Sequence, residues 1–241
     1  MGKLRELRSA VLAALEAEPW PEGLARLEAW PAKLLVGPLY ACLLEPSRLT
    51  GLRAATAFGA VAARMYSEHP EDARQLMRQL MWRLNEESGN IAWGIPEAFG
   101  EILAAEASLA REFHRVLASY IHERDCATGD NFLELCPLRR GVYWALGRLA
   151  KARPELVLAA RDDLVQALAG DDPQSRGLAA WALGFLLPTA GAPAGVQDGF
   201  APARAALSAL AGDGSALELY EDGQLRSVSV GGLAQAALAG R

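Results

Sequence analysis

Apolar positions recur at helical spacing along most of the chain. Over residues 70–85, Leu76, Met77, Leu80, Met81 and Leu84 share one face, and Pro70 fits a helix N-terminus. Residues 108–122 repeat the pattern with Leu109, Phe113, Val116, Leu117, Tyr120 and Ile121. Residues 154–169 do so with Leu156, Leu158, Leu164, Val165 and Leu168, before Gly170-Asp171-Asp172-Pro173 caps and turns the chain. The N-terminal stretch predicts an amphipathic first helix. Near the other end, residues 189–202 are rich in Gly, Ala and Pro and read as a loop, followed by a helix at 202–211. Residues 216–230 then alternate around Asp222-Gly223, a strong hairpin signal, and a last helix covers 231–239.

Between these helices lies a second, repeating kind of helix. Residues 138–147 (LRRGVYWALG) and 175–184 (SRGLAAWALG) share Arg, Trp, Ala, Leu and Gly at the same offsets. Looser copies end in Ala57-Phe58-Gly59 and Ala98-Phe99-Gly100. From Gly59 through Gly100 and Gly147 to Gly184 the spacings are 41, 47 and 37 residues, near the period of helical-pair repeats. Glycine inside a helix costs roughly 1 kcal/mol against alanine. Four glycines at matching places therefore imply that a neighbouring helix must come close. The unit is helix A, loop, helix B.

This pattern resembles the HEAT-like repeat family over roughly residues 24–188. The likeness is strongest at 138–147 and 175–184, where Arg139 and Arg176 occupy the family's usual arginine column. Gly51 and Ala92 stand there in the first two units. Residues 70–104 are similar to a bacterial group of HEAT-like proteins to which no activity attaches. The resemblance implies an all-α fold, a right-handed α-solenoid of about four to five HEAT-like helical pairs. The repeats would span residues 1–188. Residues 189–241 would form a C-terminal cap of helix, β-hairpin and helix on the same solenoid.

HEAT-like B helices line a concave surface. Their core columns are expected at the Ala and Leu/Phe positions and at Ala54, Ile95, Val142 and Ala179. A different stripe, at i, i+4, i+8 spacing, carries Leu52, Thr56 and Ala60; Trp93, Glu97 and Glu101; Arg140, Trp144 and Arg148; and Gly177, Trp181 and Phe185. Three of the six tryptophans fall on it together with charges of both signs, the composition of a binding hot spot. Arg140 and Arg148 are placed to pair with Glu97 and Glu101. The expected site is this groove, edged by the long third loop with Asp130, Asn131 and Glu134. On that reading Trp144→Ala would weaken partner capture and leave helical content nearly unchanged. The same stripe would also arise if the tryptophans filled the core between helices and the charges faced water.

Composition narrows the chemistry. Lys+Arg is 24 and Asp+Glu 29, a net charge of -5, which speaks against nucleic acid as a partner because phosphate contacts need a basic rim. Cys42, Cys126 and Cys136 are too few for a disulfide framework. No apolar run approaches a membrane span, and Glu16 and Glu18 interrupt what a secretory signal would need, so a cytoplasmic chain without membrane association is expected. His114 and His122 stand two helical turns apart, about 12 Å, too far to share one ion. With Cys126 and Cys136 they match no zinc spacing, so no metal or cofactor is expected. Cys126 and His122 lack an evident orienting group. Glu97 and Glu101 one turn apart could act as an acid/base pair, though solvated carboxylates at that spacing are commoner. The leading expectation is a non-enzymatic binding or scaffold module that holds a protein segment, as monomer or weak homodimer. The alternative within the HEAT-like fold is a DNA-base glycosylase or a lyase using the same groove.

Overall fold

A computed structural model describes residues 2–85, 92–123, 131–189 and 191–240. The chain divides into two compact units, residues 1–112 with 220–224, and residues 113–219 with 225–241.

The first unit contains α1 (Gly2–Leu15), α2 (Trp20–Arg26), α3 (Ala32–Cys42), α4 (Arg48–Glu68), α5 (Pro70–Leu84) and α6 (Ile95–Ala105), and α7 (Ala107–Ser119) begins in it. Its centre is α4, which packs on α3, α5 and most extensively on α6. Ser47 starts α4 by accepting the Thr50 N–H at 3.3 Å. Pro70 and the acidic pair Glu71 and Asp72 open α5, where a fixed φ and negative charge both suit a helix N-terminus. The expected core column holds, with Ala54, Phe58, Ala98 and Phe99 fully buried and Ile95 nearly so. Each large apolar side chain buried there contributes about 1.5–3 kcal/mol.

The second unit contains α8 (Cys136–Ala152), α9 (Arg161–Ala167), α10 (Pro173–Gly184), α11 (Ala194–Asp198), α12 (Ala201–Leu210), strands β1 (Ala216–Glu221) and β2 (Gln224–Ser229), and α13 (Val230–Leu238). Here α10 is central, between α8 and α13. Val142, Leu146, Ala179 and Leu183 form its core column. The helix expected from residue 154 is shorter than its apolar pattern suggested. Residues 154–156 and 158–160 form two 3-10 turns, and only 161–167 is α-helix. Short 3-10 turns are common where a helix is entered, and apolar spacing does not separate them from α-helix.

The repeating glycines are contact points. A Cβ on Gly59 would lie 2.8 Å from the Glu101 carbonyl oxygen of α6, and one on Gly147 would lie 2.3 Å from the Trp181 indole of α10. One on Gly184 would meet Ala237 of α13 at 3.1 Å. Thus α4, α8 and α10 each touch another element through the gap that the glycine leaves.

Candidate functional site

The glycine sockets decide where the expected site residues go. Trp181 lies on Gly147 and is 1% exposed; Trp144, at 4%, stacks on it with ring centroids 6.4 Å apart. Phe185 meets the Trp181 ring edge-on at 5.3 Å and is half-buried. The expectation that Trp144 and Trp181 face solvent is therefore corrected. In a stack of B helices this stripe is the face on which α8 receives α10, so its large residues fill the core. Gly177, in the same stripe, is covered by Leu217 of β1, 2.7 Å from where its Cβ would stand. A glycosylase-like groove lined by all three tryptophans loses two of them to the core.

The charges of the stripe have separate fates. Arg140 was expected to pair with Glu97 or Glu101; its ion pair is with Asp172, through Nε at 2.9 Å and Nη2 at 2.6 Å. Asp172 also caps α10, accepting from the backbone N–H of Ser175 at 2.9 Å and its hydroxyl at 2.6 Å. Burial tends to raise the Asp172 carboxyl, but the bonds from Arg140 and Ser175 outweigh it and hold it well below the usual range. Arg176 repeats the device one helix on, donating to Asp213 at 2.7 Å and to the carbonyls of Gly170 and Asp171 at 2.9 and 3.0 Å. Arg139 likewise donates to the carbonyls of Leu133 and Glu134. The arginine column thus ties loops to helices.

That arrangement makes the fold acid-sensitive. A depressed folded-state pKa means the unfolded chain takes up the proton first, near the ordinary aspartate value of about 3.9. The stabilisation is present above that pH and is lost as pH falls through the lower folded-state pKa. Asp172→Asn keeps the helix cap and removes the charge. It should cost about 1–2 kcal/mol at pH 7, discounted for the partly exposed guanidinium, and flatten the decline in urea midpoint between about pH 5 and pH 2.

Glu101 is 4% exposed and accepts from the Thr56 hydroxyl of α4 at 3.0 Å, so it too leaves the solvent face. Arg148 is half-buried, Asn131 and Glu134 are exposed, and Asp130 lies outside the described residues. Asn131 donates to Ser119 Oγ at 3.0 Å. His122 Nδ1 lies 2.7 Å from Asp163 Oδ1, an orienting carboxylate that the sequence did not reveal; Cys126 lies outside the described residues. Cys42 is free and buried, its thiol pushed up to about 11 by burial, and Cys136 is free.

Of the expected groove residues in the first unit, those at the start of α6 stay at least partly open. Trp93 is 40% exposed. Gly94, the N-cap of α6, lies against Leu43, and the next residue, Leu44, is 57% exposed. Glu97, one turn into α6, is half-buried; burial pushes its carboxyl above the usual range while Arg48 draws it back. A cleft of about 150 Å³ lies elsewhere in the unit, against Leu24, Leu27, Ala57, Ala60 and Val61 with Glu28 and Arg64. That is well below the roughly 300 Å³ of a small-molecule site. Arg64 is already engaged with the carbonyls of Leu27, Glu28 and Trp30.

No helix among the described residues is long and apolar enough to cross a membrane. Residues 137–186 match the HEAT-like repeat family, and no curated protein sequence matches the chain. A designed armadillo repeat protein in complex with the peptide (KR)4 has a TM-score of 0.57 and 18% identity, over 98% of this chain and 90% of that one. Computationally designed armadillo repeat proteins for modular peptide recognition give 0.53 and 17%, over 97% and 91%. A further designed armadillo repeat protein gives 0.54 and 18%, over 98% and 92%. The chain has an all-α, α-solenoid fold with a two-stranded hairpin near its C-terminus, and its residues 137–186 are similar to the HEAT-like repeat.

Proposed function

We propose that this chain is a non-enzymatic binding module that holds a protein segment, with Trp93 and Glu97 as its anchor in the first unit. The observation that carries the reading is the exposed indole of Trp93, four residues before a partly desolvated carboxylate. An apolar side chain of a partner would cover the indole, and a lysine or arginine would meet Glu97. The fold is shared with designed armadillo repeat proteins, one of them solved with a peptide of alternating lysine and arginine, and the net charge of -5 suits a basic segment. In the second unit, Arg148, Phe185, Asn131 and Glu134 are the expected contact residues still at least partly open. Trp144, Trp181 and Glu101 contribute by packing, and Arg140 by its pairing with Asp172.

Trp93 precedes α6, so its removal leaves the helices intact. Trp93→Ala should reduce recovery of a specific partner in pull-downs from the native cell by roughly tenfold or more, with an unchanged circular dichroism spectrum. Glu97→Gln should weaken capture less. Equal recovery by wild type and both variants would overturn the reading.

A further inference from the structure

The turn between the two C-terminal strands belongs to the first unit, and it sits in a shaped site. Gly223 has φ +80°, and a Cβ there would lie 2.0 Å from Trp20 Cδ1, so the turn backbone lies close against the indole. Arg53, 2% exposed, donates from Nε to the Gly223 carbonyl at 3.0 Å. The Tyr220 hydroxyl lies 2.9 Å from Thr56 Oγ1, and Thr56 donates on to Glu101 at 3.0 Å. Tyr220 itself is 3% exposed.

The receiving residues also have partners outside the turn. Arg53 also donates to the carbonyls of Leu15 at 3.0 Å and Ala17 at 3.4 Å, and pairs with Glu18. Thr56 has the Leu52 carbonyl at 3.3 Å and Glu101 as further partners. A site whose residues have contacts of their own, and to which the turn adds hydrogen bonds at Arg53 and Thr56, has the character of a receptor and a ligand. The ligand is the loop of a two-stranded sheet, which has little stability of its own. Glu101 and Glu97 lie one turn apart on α6, so through Thr56 the turn is linked to one end of the stripe whose other end is Trp93.

We propose that Trp20, Arg53, Thr56 and Glu101 form a receptor for a tyrosine-led Asp-Gly turn. The chain fills it with its own residues 220–224 as a releasable latch, which shortens the binding face until it opens. The continuity with Trp93 and Glu97 rests on the functional reading above; the receptor and its latch do not.

The test uses the full chain carrying Gly223→Val, which cannot adopt the turn or fit beneath Trp20, and a labelled cyclised peptide of residues 216–229. The wild-type chain should bind the peptide at least tenfold more weakly than the variant. Adding Thr56→Val to the variant should reduce the gain. Tyr220→Phe, a milder opening, should show a smaller gain of the same sign. The proposal is overturned if folded Gly223→Val binds the peptide no better than wild type. It is equally overturned if that variant fails to fold, because a latch that can release is not required by the fold. The probe is the chain's own peptide, so failure here leaves the Trp93 reading standing, and loss of the Trp93 effect leaves this one.

Discussion

Trp181→Ala is expected to destabilise the second unit by about 3–5 kcal/mol, as large aromatic truncations in well-packed cores do. The indole is fully buried, lies on Gly147, stacks on Trp144 and meets Phe185. Its removal leaves a cavity between α8 and α10 that rigid helices cannot close. Urea unfolding followed by circular dichroism would show the midpoint fall; an unchanged midpoint would place the indole outside the core. The Trp181 Nε1–H has no acceptor among the described residues, so Trp181→Phe gives up volume without giving up a hydrogen bond and should cost clearly less than alanine. Gly147→Ala should cost about 1–3 kcal/mol by overpacking, because its methyl would stand 2.3 Å from the ring. In the double variant the truncated tryptophan makes room for that methyl. The two effects should therefore couple favourably in a double-mutant cycle.

That glycine–tryptophan relation shows how much of the molecule was legible beforehand. Local periodicity placed the helices well. It assigned Pro70 to the start of α5, the Asp222-Gly223 turn to a hairpin, and Ala54, Ile95, Val142 and Ala179 to the core. It also marked Gly59, Gly147 and Gly184 as close approaches, since a helix tolerates glycine inside it only for a packing reason. It misplaced Trp144 and Trp181 because a B helix in a stack has two buried faces. One face meets its own A helix and the other meets the next repeat. A stripe with arginines and glutamates at its ends looks like a solvated face when only one helix is considered. The signal that resolves the ambiguity is Gly147 read together with Trp181, a socket and the side chain that fills it one repeat later. The place of residues 220–224 was beyond local reasoning, since nothing near them in sequence names Thr56 as the partner of Tyr220 or Arg53 as that of Gly223. Arg53 itself was overlooked. An arginine set between Leu52 and Ala54, two residues after a glycine in the family's arginine column, was the available hint.

Arg53→Met is the second large effect expected. Methionine keeps most of the aliphatic volume and removes the guanidinium, so packing changes little and hydrogen bonding changes completely. The carbonyls of Leu15, Ala17 and Gly223 all lose a charged donor. An unsatisfied buried polar group costs about 1–3 kcal/mol. Partial rehydration on the Glu18 side, which is 60% exposed, limits the sum to about 3 kcal/mol. Loss of the guanidinium over the Trp20 ring, 5.0 Å from its centroid, adds in the same direction. Glu18→Gln should cost under about 1 kcal/mol, since that carboxylate is largely in water. Arg53→Lys should fall between them, because a single ammonium cannot reproduce a planar fork aimed at several acceptors. This order of urea midpoints, Glu18→Gln above Arg53→Lys above Arg53→Met, follows if the guanidinium acts through the backbone carbonyls. If the glutamate were its main partner, Glu18→Gln and Arg53→Met would instead destabilise alike.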